Sequence, residues 1–115
     1  MRIAIIGSRE LNGSEEFCYN KICENIPRNC TEIVSGGAHG IDTLAEKYAR
    51  ENSLLFKKIE PEYHKYGKTA PLMRNAQIIE YANFVLVFWD GKSRGTAQAI
   101  KICCETDKLV EIFLI

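Results

Sequence analysis

The chain has 115 residues, with 15 basic side chains, 15 acidic ones and two histidines. That length predicts a single domain over residues 1–115, large enough for one hydrophobic core without disulfides or a structural metal. A net charge of zero argues against a sequence-blind nucleic-acid binder while leaving room for a local basic patch. No run approaches the roughly 18 apolar residues of a membrane span. The opening MRIAIIGSRE is too weakly basic and too short in its apolar run for a secretory signal. The expectation is a cytoplasmic protein with no membrane partner.

Residues 2–6 (RIAII) are a β-branched run ending at Gly7, the pattern of a buried strand. Asn12 with Glu15 three positions on predicts a capping box for a helix to about Asn25. Cys18, Ile22 and Ile26 give that helix an apolar face, and Pro27 ends it. Residues 31–35 (TEIVS) predict a second strand running into Gly36-Gly37-Ala38-His39-Gly40. Ile41, Leu44, Ala45, Tyr48 and Ala49 then follow the amphipathic helical spacing without a gap. Residues 54–59 predict a third strand and residues 61–70 a polar loop. Pro71 suits the first turn of a helix to about Ala82. Residues 83–89 (NFVLVFW) are apolar enough to be buried on both faces, as interior parallel strands are. A loop over residues 90–95, a helix from Thr96 to about Thr106 and a strand over residues 109–115 complete the chain.

Strands alternating with helices predict an α/β fold: about five parallel strands, doubly wound in the order 3-2-1-4-5, with helices on both faces. The five cysteines are odd in number and form no C-x-x-C pair, so they read as reduced thiols, with neither a disulfide framework nor a metal site.

In such a sheet a ligand lies beyond the carboxyl ends of the strands where the strand order reverses, here between strands one and four. Three loops converge there. They are Gly7-Ser8-Arg9, then Gly36-Gly37-Ala38-His39-Gly40-Ile41-Asp42, then Asp90-Gly91-Lys92-Ser93-Arg94-Gly95-Thr96. Glycine lets backbone approach a ligand, and the N–H groups at a helix start attract phosphate. The expected ligand-binding residues in these loops are Gly7, Ser8, Arg9, Gly36, Gly37, Ala38, Gly40, Asp42, Asp90, Gly91, Ser93, Arg94, Gly95 and Thr96. Arg74 and Asn75 on the helix after Pro71 join them, as an anion fork and a reader of a ribose or base edge. Arg9 and Arg94 are the expected phosphate countercharges. Trp89 is expected in the core at a strand end. Gly91-Lys92-Ser93 is not a P-loop, because Leu86 occupies the position where that motif needs glycine. GSRELNG is not the G-x-G-x-x-G fingerprint of dinucleotide sites, and no cofactor is implied.

The motifs IAIIGSR, SGGAHGID, LMRN and FVLVFWDGKSRGT, in that order along nearly the whole chain, resemble the SMF/DprA–LOG (SLOG) superfamily. Within it they are most similar to the small YspA/YpsA-related branch. The resemblance implies a Rossmann-like domain with a nucleotide or nucleotide-derivative site in those loops, and a homo-oligomer. LOG hydrolases of this superfamily place a glutamate in PGGxGTxxE, where this chain has Ala99. N-glycosidic cleavage needs a carboxylate for the cationic ribose or for water. The first reading is therefore a protein that binds a nucleotide or nucleotide-derived phosphorylated ligand, for sensing or processing. The second is a nucleoside-phosphate hydrolase using Asp42, Asp90 or His39 in place of the glutamate. The third is a single-stranded DNA binder like DprA.

Overall fold

Five apolar runs pair into one parallel sheet in a computed structural model that describes residues 1–37 and 39–115. The strands are β1 (Arg2–Gly7), β2 (Glu32–Ser35), β3 (Leu55–Lys58), β4 (Phe84–Trp89) and β5 (Leu109–Leu114). Their order is β3-β2-β1-β4-β5, the doubly wound order that the alternation predicts. Register is fixed on both sides of β1, with Ala4 beside Val34 of β2 and Ile5 beside Leu86 of β4.

The chain leaves β1 and β4 toward opposite faces of the sheet. α1 (Glu15–Asn25) and α2 (Ile41–Glu51) cover one face; α4 (Ala70–Tyr81) and α5 (Arg94–Glu105) cover the other. Successive side chains of a strand point to opposite faces, so β4 feeds both cores at once. Phe84, Leu86 and Phe88 pack with Cys18, Ile22, Ile41 and Ala45 on the first face. Val85 and Val87 pack with Ile78, Ile79, Ala99 and Cys103 on the second. This two-sided burial is why β4 reads as an unbroken apolar run.

Several expectations need correction. Asn12 caps no helix: it has φ 52°, Gly13 has φ 82°, and together they form a turn. α1 starts later, with Ser14 at the N-cap position, and Ser14 Oγ donates to Leu11 O rather than accepting from the helix. The polar loop contains one helical turn, α3 (Tyr63–Tyr66), and a 3-10 turn (Gly67–Thr69) that feed directly into α4. α5 begins at Arg94, two residues before the expected start, because Ser93 caps it. β5 is an edge strand, and Leu109, Ile112 and Leu114 are exposed. It is held to β4 by backbone pairing and by the Phe88–Phe113 ring stack at 5.0 Å.

No helix among the described residues is long and apolar enough to cross a membrane. The five cysteines are free thiols, and burial pushes that of Cys103 up to about 11.

Candidate functional site

Because β1 feeds α1 on one face and β4 feeds α5 on the other, the loops after these strands diverge and leave a gap. That gap is a cleft of about 370 Å³ at the carboxyl end of the sheet. Its walls come from the end of β1, the start of α2, the Pro71–Ile78 stripe of α4 and the β4–α5 loop.

The floor is rigid. Ser8 N–H donates to Phe88 O at 3.1 Å, extending the β1–β4 ladder by one bond. Ser8 is buried, and its Oγ accepts from Asp90 N–H at 3.3 Å, which ties the two loops together. Asp90 Oδ1 in turn accepts from Lys92 N–H and Ser93 N–H, each at 2.8 Å. Those bonds, Ser93 first and Lys92 second, hold the Asp90 carboxyl below the usual carboxylate range. Ser93 Oγ accepts from Thr96 N–H at 3.3 Å, and Trp89 Nε1 donates to Ser93 O at 3.0 Å. Trp89, expected in the core, is half-buried; it packs against the core and braces the loop from there.

Arg74 forms one wall. It lies across Gly36, so closely that a Cβ on Gly36 would collide with Nη1 and stand 3.0 Å from Cζ. Its Nε donates to Asn75 Oδ1 at 2.9 Å. Asn75 is buried, and its Nδ2 reaches Gly95 O at 3.5 Å, linking α4 to the first turn of α5. Burial pulls the Arg74 guanidinium below the ordinary arginine range; Asp42 opposes the shift and Arg9 adds to it. Asp42 sits in the first turn of α2 and accepts from Ser35 Oγ, whose single proton is shared with Ile5 O at 3.2 Å.

Of the residues singled out in the sequence, the cleft brings together Gly7, Ser8, Arg9, Gly36, Asp42, Arg74, Asn75, Asp90, Ser93, Gly95 and Thr96. Gly37, Gly40, Gly91 and Arg94 do not line it. Gly37 (φ 74°) packs against the Lys58 stem, and Gly40 (φ 72°) lies under Arg9 O with no room for a side chain. Gly40 belongs instead to a neighbouring hollow that also includes Arg9, Leu11, Thr43 and Leu44. Gly91 and Arg94 are exposed and do not line the cleft. His39 is exposed and outside the cleft, and Ala38 lies outside the described residues.

Three of the loop glycines sit where protein packs closely on protein. A Cβ on Gly7 would stand 2.6 Å from Phe88 O and 2.9 Å from Ile41 Cγ2. Gly7, Gly37 and Gly40 thus let protein pack on protein. Only Gly95 combines a place in the cleft with open space above its Cα.

Ile6, Glu10, Pro71 and Ile78 also line the cleft and escaped the sequence reading. A signal for two of them existed: Pro71, Arg74, Asn75 and Ile78 share one helical stripe.

The lining carries two guanidiniums, Arg9 and Arg74, and three carboxylates, Glu10, Asp42 and Asp90. Asp42 and Asp90 are engaged by the hydrogen bonds described. Ala99, where the LOG hydrolases carry glutamate, is fully buried in the α4–α5 core and outside the cleft. Among the described residues no His, Cys, Asp and Glu side chains cluster as a metal site.

Two comparisons bear on this arrangement. No curated protein matches the chain. The family model for DNA recombination-mediator protein A matches residues 1–55, the stretch that includes β1, α1, β2 and α2. Among solved structures, DNA processing protein A from Helicobacter pylori, described for its single-stranded DNA binding mode, superposes with a TM-score of 0.73 at 20% identity. The match covers 97% of this chain and 64% of that one. The first half of the chain is thus similar to DNA recombination-mediator protein A, and nearly its whole length shares a fold with the Helicobacter protein.

Proposed function

We propose that the cleft between β1 and β4 binds a phosphate-bearing nucleotide unit and that single-stranded DNA supplies it. The observation that carries this reading is the half-buried Arg74 guanidinium, with Arg9 near it, in a cleft that also includes the first turn of α5. A guanidinium is suited to phosphate, and the N-terminal turn of a helix favours anions. The similarity to DNA recombination-mediator protein A and the fold shared with a single-stranded DNA binder support the choice of DNA over the free nucleotide that the sequence favours. With zero net charge and three carboxylates beside the two arginines, the reading rests on oriented contacts from Arg9 and Arg74 and not on a basic patch.

The test is fluorescence anisotropy of a labelled oligothymidylate at several salt concentrations. Single-stranded contacts give a log–log salt slope of about 0.7 per phosphate neutralised, so two arginines predict a slope of magnitude about 1.4. Arg74→Ala should weaken binding and reduce the slope by about 0.7. Absence of binding at low salt refutes the reading.

The mixed charge of the cleft favours a second reading, a free nucleotide or derivative with one phosphate group. Nucleotides would then raise the melting temperature while the oligonucleotide does not bind. In either case the resemblance of the four motifs to the small YspA/YpsA-related branch supports the proposal that the chain belongs to it.

A further inference from the structure

We infer that Asn75 is a positioning residue for Arg74: its buried amide grips the guanidinium by the Nε edge and presents the Nη edge to the anion. The inference rests on the proposed function for the identity of the ligand, but its geometry stands alone. Asn75 is 7% exposed, so its amide oxygen and nitrogen must find partners within the protein. Oδ1 accepts from Arg74 Nε at 2.9 Å, and Nδ2 reaches Gly95 O at 3.5 Å. The two bonds fix the orientation of the amide, since a flipped amide would set N–H against N–H and oxygen against oxygen. The guanidinium is then confined from below by Gly36, whose missing Cβ leaves the space that Nη1 occupies. Asparagine suits this place chemically. Aspartate would accept from Nε but add a charge cancelling that of the arginine, and glycine would leave Gly95 O without this partner.

An arginine held in advance loses less rotamer freedom on binding than a mobile one. Releasing it should weaken anion binding about 3- to 10-fold. The experiment is a double-mutant cycle with Arg74→Ala and Asn75→Ala, read by anisotropy of labelled oligothymidylate, with the Arg74 Nε–H resonance followed by NMR. Asn75→Ala should weaken binding and expose Nε–H to solvent exchange, yet cost nothing further in the Arg74→Ala background. Wild-type affinity in folded Asn75→Ala overturns the inference. So does a loss that adds fully to that of Arg74→Ala, which would mean that Asn75 acts through Gly95 instead. If oligothymidylate fails to bind the wild-type protein, the functional reading falls, and the resonance alone decides: protection retained in Asn75→Ala refutes positioning. If Asn75→Ala does not fold, Asn75→Asp keeps the acceptor and should keep Nε–H protected; free exchange there overturns the inference.

Discussion

Gly36→Ala separates the site from the fold. Gly36 is buried where the chain leaves β2, and it has no left-handed φ that only glycine would accept. Replacing glycine by alanine at a compatible backbone stabilises a protein by about 0.4–1 kcal/mol, through the unfolded chain. The new methyl meets the far end of the Arg74 side chain; Asp42 Oδ2, at 3.3 Å, is a tighter than usual neighbour. Arg74 must swing away, losing its place over Gly36 and straining its Nε bond to Asn75. A hydrogen bond to a charged group is worth about 1.5–3 kcal/mol, so losing Arg74 as the anion contact should weaken binding roughly 10- to 150-fold. Urea unfolding should show unchanged or slightly raised stability, while anisotropy shows the loss of affinity. A folded Gly36→Ala protein with wild-type affinity would refute the placement of Arg74 at the centre of the site. A protein that unfolds would show that Gly36 serves the backbone instead.

Three further outcomes follow from the same geometry. Gly95→Val should fold, because open space lies above Gly95 Cα, and should block the ligand; nucleotide or DNA binding that survives it would misplace the ligand. The Asp90 carboxyl is held below its usual range, so its contribution to stability is fully present above about pH 4 and is lost as the pH falls through its folded pKa. Asp90→Asn should lack that component, giving a shallower acid-side decline in melting temperature; a parallel decline would refute it. Neither AMP, GMP, CMP nor UMP should release free base, since loss of a positioned acid–base group costs about 10²–10⁴-fold. Steady release that disappears in Asp90→Asn would instead establish a hydrolase with a relocated carboxylate.

The sheet was legible because its signals are strong and local. Apolar residues fill both faces of β4, and the α2 spacing from Ile41 to Ala49 leaves no second reading. α3 was not legible, because a single turn with no buried residue carries no periodicity. Asn12 misled because Asn-Gly is equally a turn signal, and here the turn prevails with both residues at positive φ. The site was legible as three loops but not as a charge arrangement. Arg94 and Arg9 look alike in sequence, yet only Arg9 reaches the cleft. Arg74, expected from the sequence as an anion fork, is the one that partial burial and Asn75 set apart.

The glycines carry the same lesson into function. Glycine-rich turns after parallel strands suggest backbone wrapped around phosphate. Here Gly7 makes room for Phe88 and Ile41, Gly37 for Lys58, and Gly40 for Arg9 O. Each lets a neighbouring backbone or side chain pack against the chain at close range. On the proposed reading, side chains more than a glycine cradle would meet the ligand; of the cleft glycines, Gly95 has open space at its Cα. A site built this way has few fixed charges: two guanidiniums against three carboxylates, two of those held by hydrogen bonds. Its affinity must come from well-oriented contacts more than from summed charge. Binding should therefore respond to the orientation of Arg74 more sharply than to salt.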